Sequence, residues 1–227
     1  MIVILGSLAF GQTGADPVQP LQPTDAQQQQ EDKRILGVLP NYRTVEDSRP
    51  FSPITPKQKF TIAAKDSFDY PVYLISGAFA ALYQLDDQNP SFGQGLKGYG
   101  KRYGAAYGDQ AIGNILAEGV FPTLFHEDPR YFRRGTGGKW SRTGYALTRV
   151  IVNRTDRGNW GFNYAEWVGN GTAAAISNFY YPADTRNFHD NVEKVTVAVA
   201  TDAFSNVLKE FWPDWKKKLH WGSHPKQ

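Results

Sequence analysis

The residues best suited to chemistry in this 227-residue chain are His126-Glu127-Asp128-Pro129, its densest run of titratable side chains. A histidine beside carboxylates is the raw material of a general base or a metal site. Adjacent residues do not share a helix face, however, and no His-Glu-x-x-His spacing occurs. The same run therefore also reads as a capped loop, with Asp128 opening a turn before Pro129 and His126 ending the preceding helix. His189-Asp190 repeats the theme. The catalytic candidates are His126, Glu127, Asp128 and His189, and a metal centre would need the two histidines and their carboxylates to converge. The expectation is no metal and no cofactor.

Other chemistries are excluded by absence from the sequence. With no Cys, thiolate zinc sites, iron–sulfur clusters, disulfides and a cysteine nucleophile are ruled out. No Gly-x-Ser-x-Gly occurs, nor a Ser-x-x-Lys in a catalytic context, nor the Pro-Ser-Gly-His element of membrane lipid phosphatases. Gly93-x-Gly95-x-x-Gly98 follows no strand pattern, and neither it nor Gly135-x-Gly137-Gly138 leads into a Walker Lys-Ser/Thr, so phosphate-loop readings fail.

Charge is unevenly distributed. Arg130 to Arg157 holds eight basic residues against Asp156 alone, a local +7 in a chain of net charge +3. Tyr131, Phe132, Trp140 and Tyr145 are interleaved with them. That combination suits anionic headgroups, and Arg130, Arg133, Arg134 and Lys139 are the candidates for such a surface. The alternative pairs these arginines with acids of other helices, such as Glu118, Glu127 and Glu166. The overall charge is too small to point to nucleic acid. The partners expected are anionic lipid or an envelope glycan, and a homo-oligomer is compatible with the sequence.

Two polar stripes run along segments otherwise rich in glycine and alanine: Arg102, Ala106 and Asp109, and Asn163, Glu166, Asn170 and Ser177. Such a stripe forms a buried hydrogen-bond network or lines a cavity. Glu166, Asn170, Arg102 and Asp109 are the ligand-binding candidates.

The elements that must position these residues are helices. Thr55-Pro56 is a helix start, an N-cap followed by Pro at the first helical position. Helical spacing predicts helices from there to before Pro71, over 72–85, from Gly93 to Leu116 or Phe121 where Pro122 intervenes, and over 141–153, 163–179 and 190–211, with Pro213 as an interruption. Apolar positions such as Leu74, Ala78, Leu82 and Leu85, or Leu147, Val150 and Ile151, form one side of their helices. Gly100, Gly104 and Gly108 form a row that predicts close helix approach, and Gly104→Leu should then be severely destabilising. The alternating ~10-residue segments of a β-barrel are absent. The fold class expected is mainly α, one domain of five to seven helices. The organisation expected is a signal-peptide remnant over 1–12, a disordered Pro/Gln-rich linker over 13–53, the helical domain over 54–219 and a basic tail over 220–227.

Arg34-Ile-Leu-Gly-Val-Leu-Pro-Asn-Tyr-Arg43, Thr55-Pro-Lys-Gln-Lys-Phe60, Phe92-Gly-Gln-Gly95, Phe121-Pro-Thr-Leu-Phe-His-Glu-Asp-Pro-Arg-Tyr-Phe-Arg-Arg134 and Val207-Leu-Lys-Glu-Phe-Trp-Pro213 together resemble a family of uncharacterised exported proteins frequent in Acidobacteria-like genomes. The resemblance covers roughly residues 33 to 215. It implies an envelope protein of a Gram-negative bacterium, in the periplasm or outer membrane, and carries no functional residues with it. The leading expectation is a non-enzymatic envelope protein, peripheral to or embedded in a membrane. The alternatives are a hydrolase of envelope lipid or glycan using His126, Glu127 and Asp128, or a small-ligand carrier. The apolar run Met1 to Phe10, too short for a ~20-residue span, gives way to polar sequence, and processing is expected near Gly11 or Gln12. N-terminal sequencing of exported material checks this, and an intact Met1 there would end the idea.

Overall fold

The computed structural model describes residues 34–35, 39–40 and 43–221. The expected signal remnant, residues 13–33 of the linker and the last six residues lie outside the described residues. The protein is mainly helical, at 69%. Its helices are α1 (Pro56–Phe68), α2 (Tyr70–Leu85), α3 (Gly95–Asn114), α4 (Phe121–Phe125), α5 (Lys139–Thr148), α6 (Tyr164–Ser177) and α7 (Phe188–Trp221). A π-helical segment, Ile115–Val120, joins α3 to α4. Short strands accompany them: β1 (Arg34–Ile35) and β2 (Leu39–Pro40) pair antiparallel, β3 (Thr44–Glu46) runs parallel to β4 (Tyr131–Arg133), and β5 (Val152–Arg154) and β6 (Trp160–Phe162) form a hairpin.

Local signals explain most boundaries. Thr55 and Gln58 form a reciprocal capping box at α1, with Pro56 at the first helical position. Asp69 accepts from the Tyr70 N–H, so Pro71 opens α2. Asn163 caps α6 by accepting from the Glu166 N–H. Two prolines expected to interrupt helices do not. The Phe121 N–H bonds the Leu116 carbonyl, a five-residue step that carries the chain from α3 past Pro122. Pro213 lies inside α7, and the Glu210 carbonyl in the turn before it accepts from Arg133 Nε at 2.8 Å and Arg142 Nη2 at 2.6 Å. The arginines thus bond the carbonyl next to that of Lys209, the one Pro213 leaves without its helical N–H. The folded part also begins before residue 54, because β3 lies in the linker expected over 13–53 and packs against β4.

Several helices turn their apolar stripes outward. Leu74, Leu82 and Leu85 are exposed, Leu85 at 81%, while Val72, Ser76 and Ala80 form the buried face of α2. In α5 the buried residues are Arg142 and Ala146, and Leu147 is exposed. Most of the core hydrophobics are alanines, among them Ala63, Ala80, Ala105, Ala146, Ala165 and Ala173. Helices meeting on alanine and glycine approach closely. A Cβ on Gly169 of α6 would stand 2.7 Å from the Ala117 Cα, and one on Gly119 would stand 3.2 Å from the Ala63 Cβ.

The row expected to mediate this contact does not. Nothing lies within 4 Å of a Cβ on Gly100 or Gly104, and Gly108 meets only the Tyr180 ring, at 3.4 Å. Equal spacing put these glycines on one face, but that face looks outward along most of its length. Gly169→Ala should therefore lower stability by ~1–3 kcal/mol through overpacking. Gly104→Leu should melt close to wild type, aided by the ~1 kcal/mol that glycine costs a helix. Thermal melts of the two variants check the reversal.

Candidate functional site

The His126 run is structural. His126 occupies the C-cap of α4 with a left-handed backbone (φ 57°) and an exposed ring. Glu127 is buried and gives both carboxylate oxygens to the start of α6, accepting from the Tyr164 and Ala165 N–H groups at 3.1 and 3.0 Å. That is the favoured place for a carboxylate, at the positive end of a helix. Asp128 is fully buried and chelated by Arg130 through Nε and Nη2. Both carboxylates are engaged within the fold and His126 stands on the surface, so the geometry adds no support to the hydrolase reading on His126, Glu127 and Asp128. His189 is exposed on the first turn of α7, with Asp190 and Glu193 within 4.8 Å. His126 is not part of that group.

The basic segment is mostly internal. Arg133 is buried and pairs with Glu46 and Asp214, and Arg142 with Glu210 and Asp214. Arg130 is held by Asp128 and the Ser52 carbonyl, and Arg154 pairs with Asp47. Arg130 and Arg133 are therefore not free for an anionic surface. The acids that claim the segment are Glu46, Asp47, Asp128, Glu210 and Asp214, not the expected Glu118, Glu127 and Glu166. Arg134 and Lys139 remain exposed, flanking a glycine-rich turn that ends in Trp140.

The ligand-binding candidates separate. Arg102 is a structural plug: its guanidinium donates to the Gln88, Asn89 and Gly93 carbonyls and to Gln84 Oε1, fixing the α2–α3 turn. Asp109, Glu166 and Asn170 do line cavities. One cavity, of about 210 Å³, lies among α2, α3, α6 and α7 and is lined by Asp109 and Asn170. A second, of about 60 Å³, is lined by Glu118, Glu166, Asn170 and Arg43. Asn114, Asn170 and Asp202 line both. Asp109 accepts from the Tyr180 and Tyr181 hydroxyls, each at 2.7 Å. Burial raises its carboxyl above the ordinary range, against the lowering effect of the two hydroxyls and the Lys194 ammonium. Burial, with Asp109 adding to it, pushes the Tyr83 hydroxyl up to about 12.

Between the cavities and α1 lies a buried ionisable cluster. Arg43 pairs with Glu118 and with Asp66 at 3.3 Å. Glu118 lies near the Asp66 carboxyl and Glu166 near that of Asp202, and like charges this close favour the protonated form. Burial holds Glu118 and Glu166 well above the usual carboxylate range and raises Asp202. Burial and the Arg43 charge bring Lys209 down to about 8, against the pull of the carboxylates. Four of these residues escaped the sequence reading. Arg43 lies in proline-rich sequence. Asp66, Asp202 and Lys209 lie on the buried faces of their helices, Asp66 three residues after Ala63 and Asp202 three after Val199, a spacing that could have flagged them.

No family model, no curated protein and no solved structure matches the chain. The chemistry on offer is therefore read from the molecule: hydrogen-bond acceptors, cavities, and a hydroxyl–amine contact between Ser177 Oγ and Lys194 Nζ at 2.8 Å.

The cluster sets a pH dependence. Glu118 and Glu166, faced by Arg43, Asp66 and Asp202, bind protons more tightly folded than unfolded. Their contribution to stability is present below the ordinary carboxylate pKa and is lost as pH rises through the folded values. Lys209 acts oppositely, adding stability as pH rises from about 8 towards its unfolded value. The melting temperature should be higher at about pH 5 than at about pH 7.5. Glu118→Gln with Glu166→Gln should flatten that slope, as melts across the range will show.

Proposed function

We propose that the protein is a non-enzymatic envelope protein that sits against a lipid surface of a Gram-negative bacterium, with the turn from Arg134 to Trp140 facing anionic headgroups. The observation that carries this reading is the inverted distribution of side chains. Lys59, Arg102, Asp128 and Glu210 are inside, while Leu96, Trp140, Phe179 and Phe188 are each more than 80% exposed. Large exposed apolar area marks an interaction surface. Here it is spread over α2, α3, α5, α6 and α7, more than a single protein partner would cover. Part of it is continuous: the rings of Phe121, Phe125, Tyr164 and Phe162 follow one another at 5.6, 6.0 and 4.9 Å. Tryptophan and tyrosine favour the headgroup level, where an apolar ring and a polar edge are both satisfied. No helix among the described residues is long and apolar enough to cross a membrane, and the reading is of attachment from one side. Localisation in the envelope rests on the resemblance given above.

Vesicle flotation tests the reading. Wild type should float with phosphatidylcholine and with phosphatidylglycerol, with modest salt dependence because most arginines are internally paired. Trp140→Ala should reduce both. Arg134→Glu with Lys139→Glu should reduce only the anionic arm, at ~1 kcal/mol for each basic residue removed. All three positions are exposed, and thermal melts of the variants check that each is folded. Absence of flotation on either lipid at low salt would sink the proposal.

A further inference from the structure

We propose that the 210 Å³ cavity among α2, α3, α6 and α7 binds a small organic ammonium ion. Its wall is acidic: Asp109, Asp190, Glu193 and Asp202 face it against the Lys194 amine alone. An anion would be repelled by this wall, and a neutral polyol, limited to hydroxyl–carboxylate hydrogen bonds, would lack the charge pairing that an ammonium ion gains there.

The unmet hydrogen-bonding capacity is that of an acceptor. Asn170 is only 6% exposed and lines the cavity. Its amide nitrogen donates to the Glu166 carbonyl and carboxylate at 2.9 and 3.2 Å. No donor among the described residues bonds its Oδ1. That oxygen is an acceptor on the cavity lining, and a ligand carrying N–H donors would bond it. The aromatic wall, Phe79, Tyr83 and Tyr181, suits a cation as well. The protein displays this chemistry itself: the Lys194 ammonium lies 3.5 Å from the Tyr181 ring centroid, with Ser177 Oγ at 2.8 Å. Lys194 meets Tyr181 and Ser177, while Asn170 and Asp202 line the same cavity. Drug-sized ligands occupy ~300–1,000 Å³, so the occupant is smaller, an amine of a few heavy atoms.

Isothermal titration of the full chain with ethanolamine, tetramethylammonium, glucose and acetate tests this. Saturable binding is expected for ethanolamine, weaker binding for tetramethylammonium, which has no N–H for Asn170, and none for glucose or acetate. Asp109→Asn keeps acceptor oxygen for a tyrosine hydroxyl and should weaken ethanolamine about tenfold, or 1.4 kcal/mol. Should that variant unfold, Glu193→Gln on the exposed rim keeps the question open to measurement and should weaken binding a few-fold. Glycerophosphoethanolamine separates two sources of the same chemistry. Binding tighter than ethanolamine points to a lipid headgroup, and weaker binding points to a free amine, since its phosphate meets the carboxylates. The proposal is overturned by no heat with either ammonium probe, by glucose binding as well as ethanolamine, or by unchanged affinity in a folded variant. None of these outcomes bears on flotation, so this proposal and the lipid-surface reading fail separately.

Discussion

The buried Glu210 side chain is where β4, the turn after it and α5 are tied to the long last helix. One carboxylate oxygen accepts from Gly135 N and Arg142 Nε, and the other from the Tyr131 hydroxyl and Arg134 N, all within 3.0 Å. These donors come from β4, the turn after it and α5. A fully buried carboxylate without such partners would carry a desolvation penalty of several kcal/mol. With them, it positions three consecutive pieces of chain at once. The same contacts explain why the basic segment is held in: Arg133 and Arg142 reach past the carboxylate to the Glu210 carbonyl and to Asp214.

The interior that results is unusual in its chemistry. Where most cores are built from branched aliphatic side chains, this one combines alanine contacts with charge pairs at Lys59, Asp66, Glu118, Arg133 and Arg142. Small residues let helices approach, and the space between them is closed by long polar side chains whose ends are bonded. The larger apolar side chains are left for the outside. The proposed membrane association and the polar cavities are thus two faces of one arrangement.

Much of the helical framework was legible in the chain. Thr55-Pro56 marked the start of α1, the Asn163–Ser177 stripe marked a buried polar face, and Arg102 with Asp109 stood out as charges destined for the interior. What could not be read was direction. An apolar stripe such as Leu74-Leu82-Leu85 is assigned to the core because it usually lies there, and no local signal distinguishes a helix whose Ser76 face is the buried one. Ion-pair partners were equally hidden. The mates of Arg133 and Arg142 are 68 to 87 residues away, and only the packing of α7 against α5 selects Glu210 over Glu118 or Glu166. Pro213 misled for a related reason, since the arginines that serve its turn come from elsewhere.

The π segment has an effect beyond carrying the chain past Pro122. A π turn is an α-helix holding one residue more than its pitch allows, and each residue advances a helix by about 100°. Ile115–Val120 therefore sets the phase of everything after it. It lets the Pro122 carbonyl face Lys59 Nζ and delivers Glu127 to the first amides of α6. Glu118, inside the segment, faces Arg43 in the same phase. Loss of a single residue there would act as a frameshift in three dimensions, turning the whole His126 corner away from its docking points while leaving every residue in it unchanged.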